Sequence, residues 1–134
     1  MHTTNYSNTF IEVADDCKAD RGTIPPEKPQ RTIAQIQYDL IFKNPYKFTS
    51  DDVIFAAYAE KNKLAPAQLE EERLKYFSKG QACLRASPLG KTYGWGVHSD
   101  AQSRVAIYGK DSKEYKQYAA DKSLKHLKAM KSAR

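Results

Sequence analysis

Between Gln81 and Gly109 the chain reads QACLRASPLGKTYGWGVHSDAQSRVAIYG, three short β-prone runs parted by turn residues. No other stretch limits the fold as strongly: the spacing predicts a three-stranded antiparallel meander. The stretch also holds the lone tryptophan, four of the six glycines, one of two cysteines and one of three histidines, so a functional site is expected to touch it. A strand sends alternate side chains to opposite faces of a sheet. In the first run Ala82, Leu84 and Ala86 then oppose Cys83, Arg85 and Ser87. In the second, Tyr93, Trp95 and Val97 oppose Gly94, Gly96, His98 and Asp100. In the third, Val105 and Ile107 oppose Arg104, Ala106 and Tyr108. Burial has to agree across neighbouring strands, so Leu84, Trp95, Val97, Val105 and Ile107 are expected to face the core.

The opposite face would carry Arg85, Ser87, Gly94, Gly96, His98 and Tyr108, and these six are the candidate ligand-binding residues. Glycine within a strand often marks a bulge or a place where something comes close to the backbone, which predicts a shallow depression over Gly94 and Gly96. An arginine fork beside an imidazole suits a carboxylate or phosphate. The competing reading is a solvated sheet surface with a bulge.

Elsewhere the pattern is mostly helical. Thr9–Val13 (TFIEV) predicts a first strand, and the three prolines of DDCKADRGTIPPEKPQ predict an irregular connection after it. Thr32–Phe42 places Ile33, Ile36, Leu40 and Ile41 on one helical stripe, with Thr32 and Gln35 spaced as a capping box and Asn44-Pro45 beyond its end. SDDVIFAAYAEKN mixes a helix start with the β-prone Val53-Ile54-Phe55, and is read as helix. Pro66 to Ser78 is expected to be helical, with Gly80 after it. Ser112 can cap a helix whose Tyr115, Tyr118 and Ala119 share a face. A last helix from Ser123 would set Leu124, Leu127 and Met130 against Lys122, Lys125, Lys128 and Lys131. The expected fold is a single α+β domain over residues 1–134, with a mostly antiparallel sheet and helices packed on one face.

Composition narrows function mainly by exclusion. The hydrophobic fraction of 40% and charged fraction of 28% are those of an ordinary globular domain. The opening MHTTNYSNTF has neither a basic nor an apolar leader segment and no stretch approaches a membrane span, so a cytoplasmic location without membrane contact is expected. Cys17 and Cys83 form no disulfide framework. The net charge of +6 is lopsided: residues 1–78 hold ten basic and twelve acidic side chains (−2), and residues 79–134 hold twelve and four (+8). That asymmetry admits an acidic partner, nucleic acid included, although lysines on a terminal helix usually form a solvated face and no RNA-binding motif is present.

Gly90-Lys91-Thr92 looks like the end of a phosphate-binding loop, but Arg85 stands where its first glycine belongs and no helix follows. Gly94-x-Gly96 lacks the third glycine of a dinucleotide fingerprint. His2, His98 and His126 lie far apart and no paired-cysteine spacing exists, so no metal or cofactor is expected. Cys83 with His98 and Asp100 has the composition of a thiol nucleophile, base and orienting group, and nothing beyond composition. Three function classes follow: non-catalytic binding of an anionic small molecule or protein partner on the polar sheet face, association with nucleic acid through the C-terminal lysines, and a thiol hydrolase at Cys83.

The segments MHTTNYSNTFIEVA, IPPEK, TIAQIQYDLI, NPYKFTSDDVIF, FSKGQACLRASPL, YGWGVHSDAQSRVAIYG and LKAMKSAR together resemble a family of small bacterial proteins known only as a domain of unknown function. The likeness runs over nearly the whole chain. It implies a single-domain bacterial cytoplasmic protein and carries no activity, ligand or catalytic residue with it.

Overall fold

A computed structural model describes residues 1–132. Its centre is a four-stranded sheet in the order β3-β2-β1-β4, with β1 at Thr9–Glu12, β2 at Trp95–Ser99, β3 at Val105–Gly109 and β4 at Lys125–Lys128. Three pairings fix it: β2 with β3 and β1 with β2 antiparallel, β1 with β4 parallel. The protein is therefore α+β with a mixed, mostly antiparallel sheet. The register sets His126, Phe10, His98 and Ala106 side by side in one row across all four strands.

Helices form where local chemistry starts them. Thr32 accepts from the Gln35 N–H while the Gln35 side chain accepts from the Thr32 N–H, and this box opens α1 (Ile33–Phe42). Thr49 and Asp52 make the same reciprocal pair before α2 (Ser50–Lys61), which settles the mixed signal of Val53-Ile54-Phe55 in favour of helix. Pro66 begins a 3-10 turn that runs into α3 (Leu69–Tyr76). Ser87 caps the single turn of α4 (Pro88–Lys91), and Ser112 caps α5 (Lys113–Ala120) by accepting from the Tyr115 N–H.

On one side of the sheet Trp95, Val97, Val105, Ile107 and Ile11 pack with Tyr38 and Ile41 of α1, Val53 and Ile54 of α2 and Leu89 of α4. This is the main core, and it contains all five residues that strand parity assigned to it. Trp95 is 7% exposed, meets Tyr38 at a tilt and Phe42 edge-on, and donates its Nε1–H to the Thr23 carbonyl. The other side is covered too: α5 lays Tyr115 over Phe10 and Val13 in a second, smaller core.

Two predicted elements are corrected. The run 82–87 is not a strand: Leu84–Ala86 form a 3-10 turn closed by the Ala86 N–H on the Cys83 carbonyl and the Ser87 N–H on the Leu84 carbonyl. Pro88 directly after it has no N–H for a ladder, and both edges of β1 are already occupied by β2 and β4. The meander thus shrinks to the β2–β3 hairpin. The lysine-rich tail is not a helix either, because Lys125–Lys128 is β4. Leu124, Leu127 and Met130 have helical spacing, yet Met130 is 52% exposed. Pairing supplies donors to β1, from the Lys125 N–H to the Asn8 carbonyl and from the Ala129 N–H to the Glu12 carbonyl. Among the described residues no helix is long and apolar enough to cross a membrane.

Candidate functional site

The polar face expected of β2 and β3 exists, and the molecule closes it with its own side chains. A Cβ on Gly96 would stand 2.6 Å from the Tyr115 ring and 2.7 Å from the Phe10 ring, so the space over this glycine is filled. Gly94, at φ +78°, is approached by the Arg21 carbonyl of the 14–31 connection. Both glycines permit close approach, as the sequence suggests, but by other parts of the same chain.

His98 and Tyr108 do meet on this face. Tyr46 joins them from the segment after α1, which runs along the outer edge of β3 through a bond from the Tyr46 N–H to the Val105 carbonyl and one from the Val105 N–H to the Phe48 carbonyl. The Tyr46 hydroxyl lies 2.7 Å from His98 Nδ1, 2.9 Å from the Tyr108 hydroxyl and 3.2 Å from that of Tyr118. Tyr118, from α5, stacks on the imidazole at 4.1 Å. The bonding closes without a charge when Tyr46 donates to Nδ1 and accepts from the other two phenols. Burial pushes the His98 pKa down, against the nearby carboxylates of Asp100 and Asp121, so the ring is neutral. Burial and the neighbouring phenols push Tyr46 far up, and burial also raises Tyr108. With the ring neutral the cluster supplies no positive charge. The cluster is a hydrogen-bonded clamp holding the 43–49 segment and α5 against the sheet.

Arg85 and Ser87 stand elsewhere. Ser87 is buried, caps α4 and donates to Gln37 Oε1 at 2.6 Å. Arg85 sits on the 3-10 turn at the outer edge of β4, where its Nε–H donates to the Lys128 carbonyl at 2.7 Å and its own carbonyl accepts from the Met130 N–H. The anchored Nε fixes the direction of the guanidinium, and among the described residues no carboxylate pairs with it. Tyr6 lies close enough for Arg85 to act on its phenol. Its ring carries Lys125 Nζ at 5.7 Å, and its hydroxyl is 3.6 Å from Cys83 Sγ. That contact with the thiol, together with burial, raises the Tyr6 pKa in spite of Arg85. Two cations without ion-pair partners among the described residues therefore flank one phenol at the edge of the sheet.

Of the six candidate residues, His98 and Tyr108 are joined in the clamp, Gly94 and Gly96 lie beneath chain-internal contacts, Ser87 is a cap, and Arg85 alone heads an open, basic corner. Cys83 keeps company with Tyr6 rather than with His98, because the run that contains it is a turn. Sequence reasoning named Lys125 and Tyr118 but did not join Lys125 to Tyr6, a meeting that depends on β4, or Tyr46 and Tyr118 to His98, which they reach from a loop and a helix with no shared spacing. A separate groove of about 480 Å³ lies between α2 and α3, lined by Leu40, Phe48, Phe55, Ala56 and Leu69. Its Arg73 is already paired with Asp52 at 2.9 Å, so its cation is spent within the fold.

No curated protein and no solved structure matches this chain. A family model does, over residues 1–134, under the description "Family of unknown function (DUF6157)". The chain belongs to that family.

Proposed function

We propose that the protein is a non-catalytic binding protein for an anionic partner, with Arg85 and Lys125 as its charged contacts and Tyr6 between them. One observation carries the reading: a guanidinium aimed by its own Nε bond, and facing no carboxylate among the described residues, acts on the same tyrosine whose ring carries a second cation. A guanidinium with free N–H groups forms charge-assisted bonds to carboxylate or phosphate, and Lys125 adds a point charge on the same side. The surplus of eight positive charges after residue 78 raises the local concentration of anions. Free Cys17 and Cys83 suit a reducing, cytoplasmic setting.

The test is a thermal-shift panel of phosphates and carboxylates on wild type, Arg85→Gln and Lys125→Gln. At least one anion is expected to raise the wild-type midpoint, and each substitution to abolish most of that rise. A wild type that no anion stabilises overturns the reading.

A further inference from the structure

Resting on the anionic-partner reading, we propose that the partner is an acidic, extended peptide segment that adds to the sheet as a fifth strand along the outer edge of β4. The pairing of β4 fixes which of its backbone groups remain open. Lys125 and Ala129 send their N–H groups inward to Asn8 and Glu12 of the β1 side. The even-numbered residues consequently face out, as the Met130 N–H on the Arg85 carbonyl and the Lys128 carbonyl under Arg85 Nε both show. Arg85 occupies only the last outward groups. The His126 N–H and carbonyl and the Lys128 N–H bond to no backbone group among the described residues. They form a short ladder beginning where the Arg85 turn ends.

The opposite edge of the sheet is not available in this way, because the 46–49 segment covers the start of β3 through the Tyr46 and Val105 bonds and the Thr49–Arg104 bridge. Added strands gain affinity from main-chain bonds and specificity from alternate side chains. Here the side chains flanking the open groups are Lys125 on one face and His126 and Lys128 on the other, with Arg85 at the end; Lys128 is already paired with Asp15 at 2.8 Å, so Lys125 and Arg85 supply the unpaired charge. An acidic strand matches that pattern. A second copy of this chain does not: an antiparallel pairing of two β4 strands would gather Lys125 and Lys128 of both copies along one seam, and like charges brought together across strands destabilise a sheet. Lysines on an edge strand also discourage indiscriminate pairing, which leaves an acidic sequence as the one that the edge accepts.

The probe is a blocked seven-residue peptide of alternating Glu and Val, its affinity measured by fluorescence anisotropy against the full chain. Two further peptides carry N-methyl groups on every second amide, in the two opposite phases, and a fourth has Lys in place of Glu. One methylation phase points at β4 and the other at solvent. Losing the bond to the open His126 carbonyl and setting methyl groups against the β4 edge should weaken binding at least about tenfold in one phase and leave the other near the parent. The Lys/Val peptide should not bind, and Arg85→Gln and Lys125→Gln should each weaken the parent. Equal affinity of both phases overturns strand addition while leaving the anionic-partner reading standing. Equal affinity of the Glu and Lys peptides overturns both. Failure of the Glu/Val peptide to bind, with small anions still stabilising the protein, removes the peptide and keeps the anion. Concentration-dependent dimers of the protein alone that Lys125→Gln strengthens would identify the edge as a self-pairing surface and overturn the proposal.

Discussion

Tyr46 holds a bulky side chain at φ +59°, a left-handed conformation that such a residue adopts only when its surroundings enforce it. The enforcing contacts are the three bonds at its hydroxyl, so Tyr46→Phe should cost about 1–3 kcal/mol by leaving Nδ1 of His98 and two phenols short of a partner. Urea denaturation measures it. His98 adds a pH dependence whose sign follows from the depressed folded pKa. Above the unfolded value of about 6.5 neither state binds the proton, and the stability from the neutral ring is fully present. As the pH falls below that value the unfolded chain takes up the proton first, so stability drops until the folded pKa has been passed. The wild-type midpoint should fall from pH 7.5 to 5.5 more steeply than that of His98→Asn, and parallel curves would refute the assignment. Trp95→Ala is expected to cost about 3–5 kcal/mol, since the indole is packed by two aromatic rings in the main core. Its burial was legible in the sequence because period two along a single strand is enough to place it with Val97. The same parity put His98 and Tyr108 together. Tyr46 and Tyr118 were illegible, because their meeting with His98 depends on the path of a loop and the docking of a helix.

Helices announced themselves through their caps: Thr32 with Gln35 and Ser112 before Tyr115 are short-range signals that tertiary contacts do not need to complete. Strands at the sheet edge gave no comparable signal. Residues 82–87 alternate as a strand should, yet a strand needs a neighbour, and the local pattern cannot show that β1 has already taken two. Leu124, Leu127 and Met130 mimic a helix stripe for the converse reason, since nothing local reveals that β1 has an open side for Lys125–Lys128. The docking of α5 follows from Gly96, the one position in β2 where the sheet surface is low enough to admit the Tyr115 ring. Gly96→Ala should therefore push α5 outward and cost about 1–3 kcal/mol as an overpacked contact, seen as a lowered denaturation midpoint and faster amide exchange in Lys113–Ala120. Unchanged exchange in α5 would show that the helix is held by something other than this contact.

At the scale of the whole molecule the two ends of the chain close on each other. β1, which begins at the ninth residue, is one of the two inner strands, and β4, from the last ten described residues, pairs its outer side. Ala129 is buried against Gly90 of α4, and Leu127 packs on the main core, so the tail belongs to the fold rather than to its surface. The charge on that tail and its strand can be separated experimentally. Replacing Lys125, Lys128 and Lys131 by Gln removes three exposed cations and one exposed pair, Lys128 with Asp15, and should leave the denaturation midpoint unchanged. Deleting residues 123–134 instead strips β1 of its parallel partner and exposes Leu127 and Ala129 together with the residues they cover. Burial of side chains of this size is worth about 3 kcal/mol in sum, a large part of the stability of a small domain. The truncated chain should accordingly unfold at a much lower urea concentration, with the loss shared by β1 and α4 in amide exchange. A solvated terminal helix, the form that the lysine spacing alone suggests, predicts no change on deletion, so an unaltered midpoint in the truncated protein would restore it and remove β4 from the sheet.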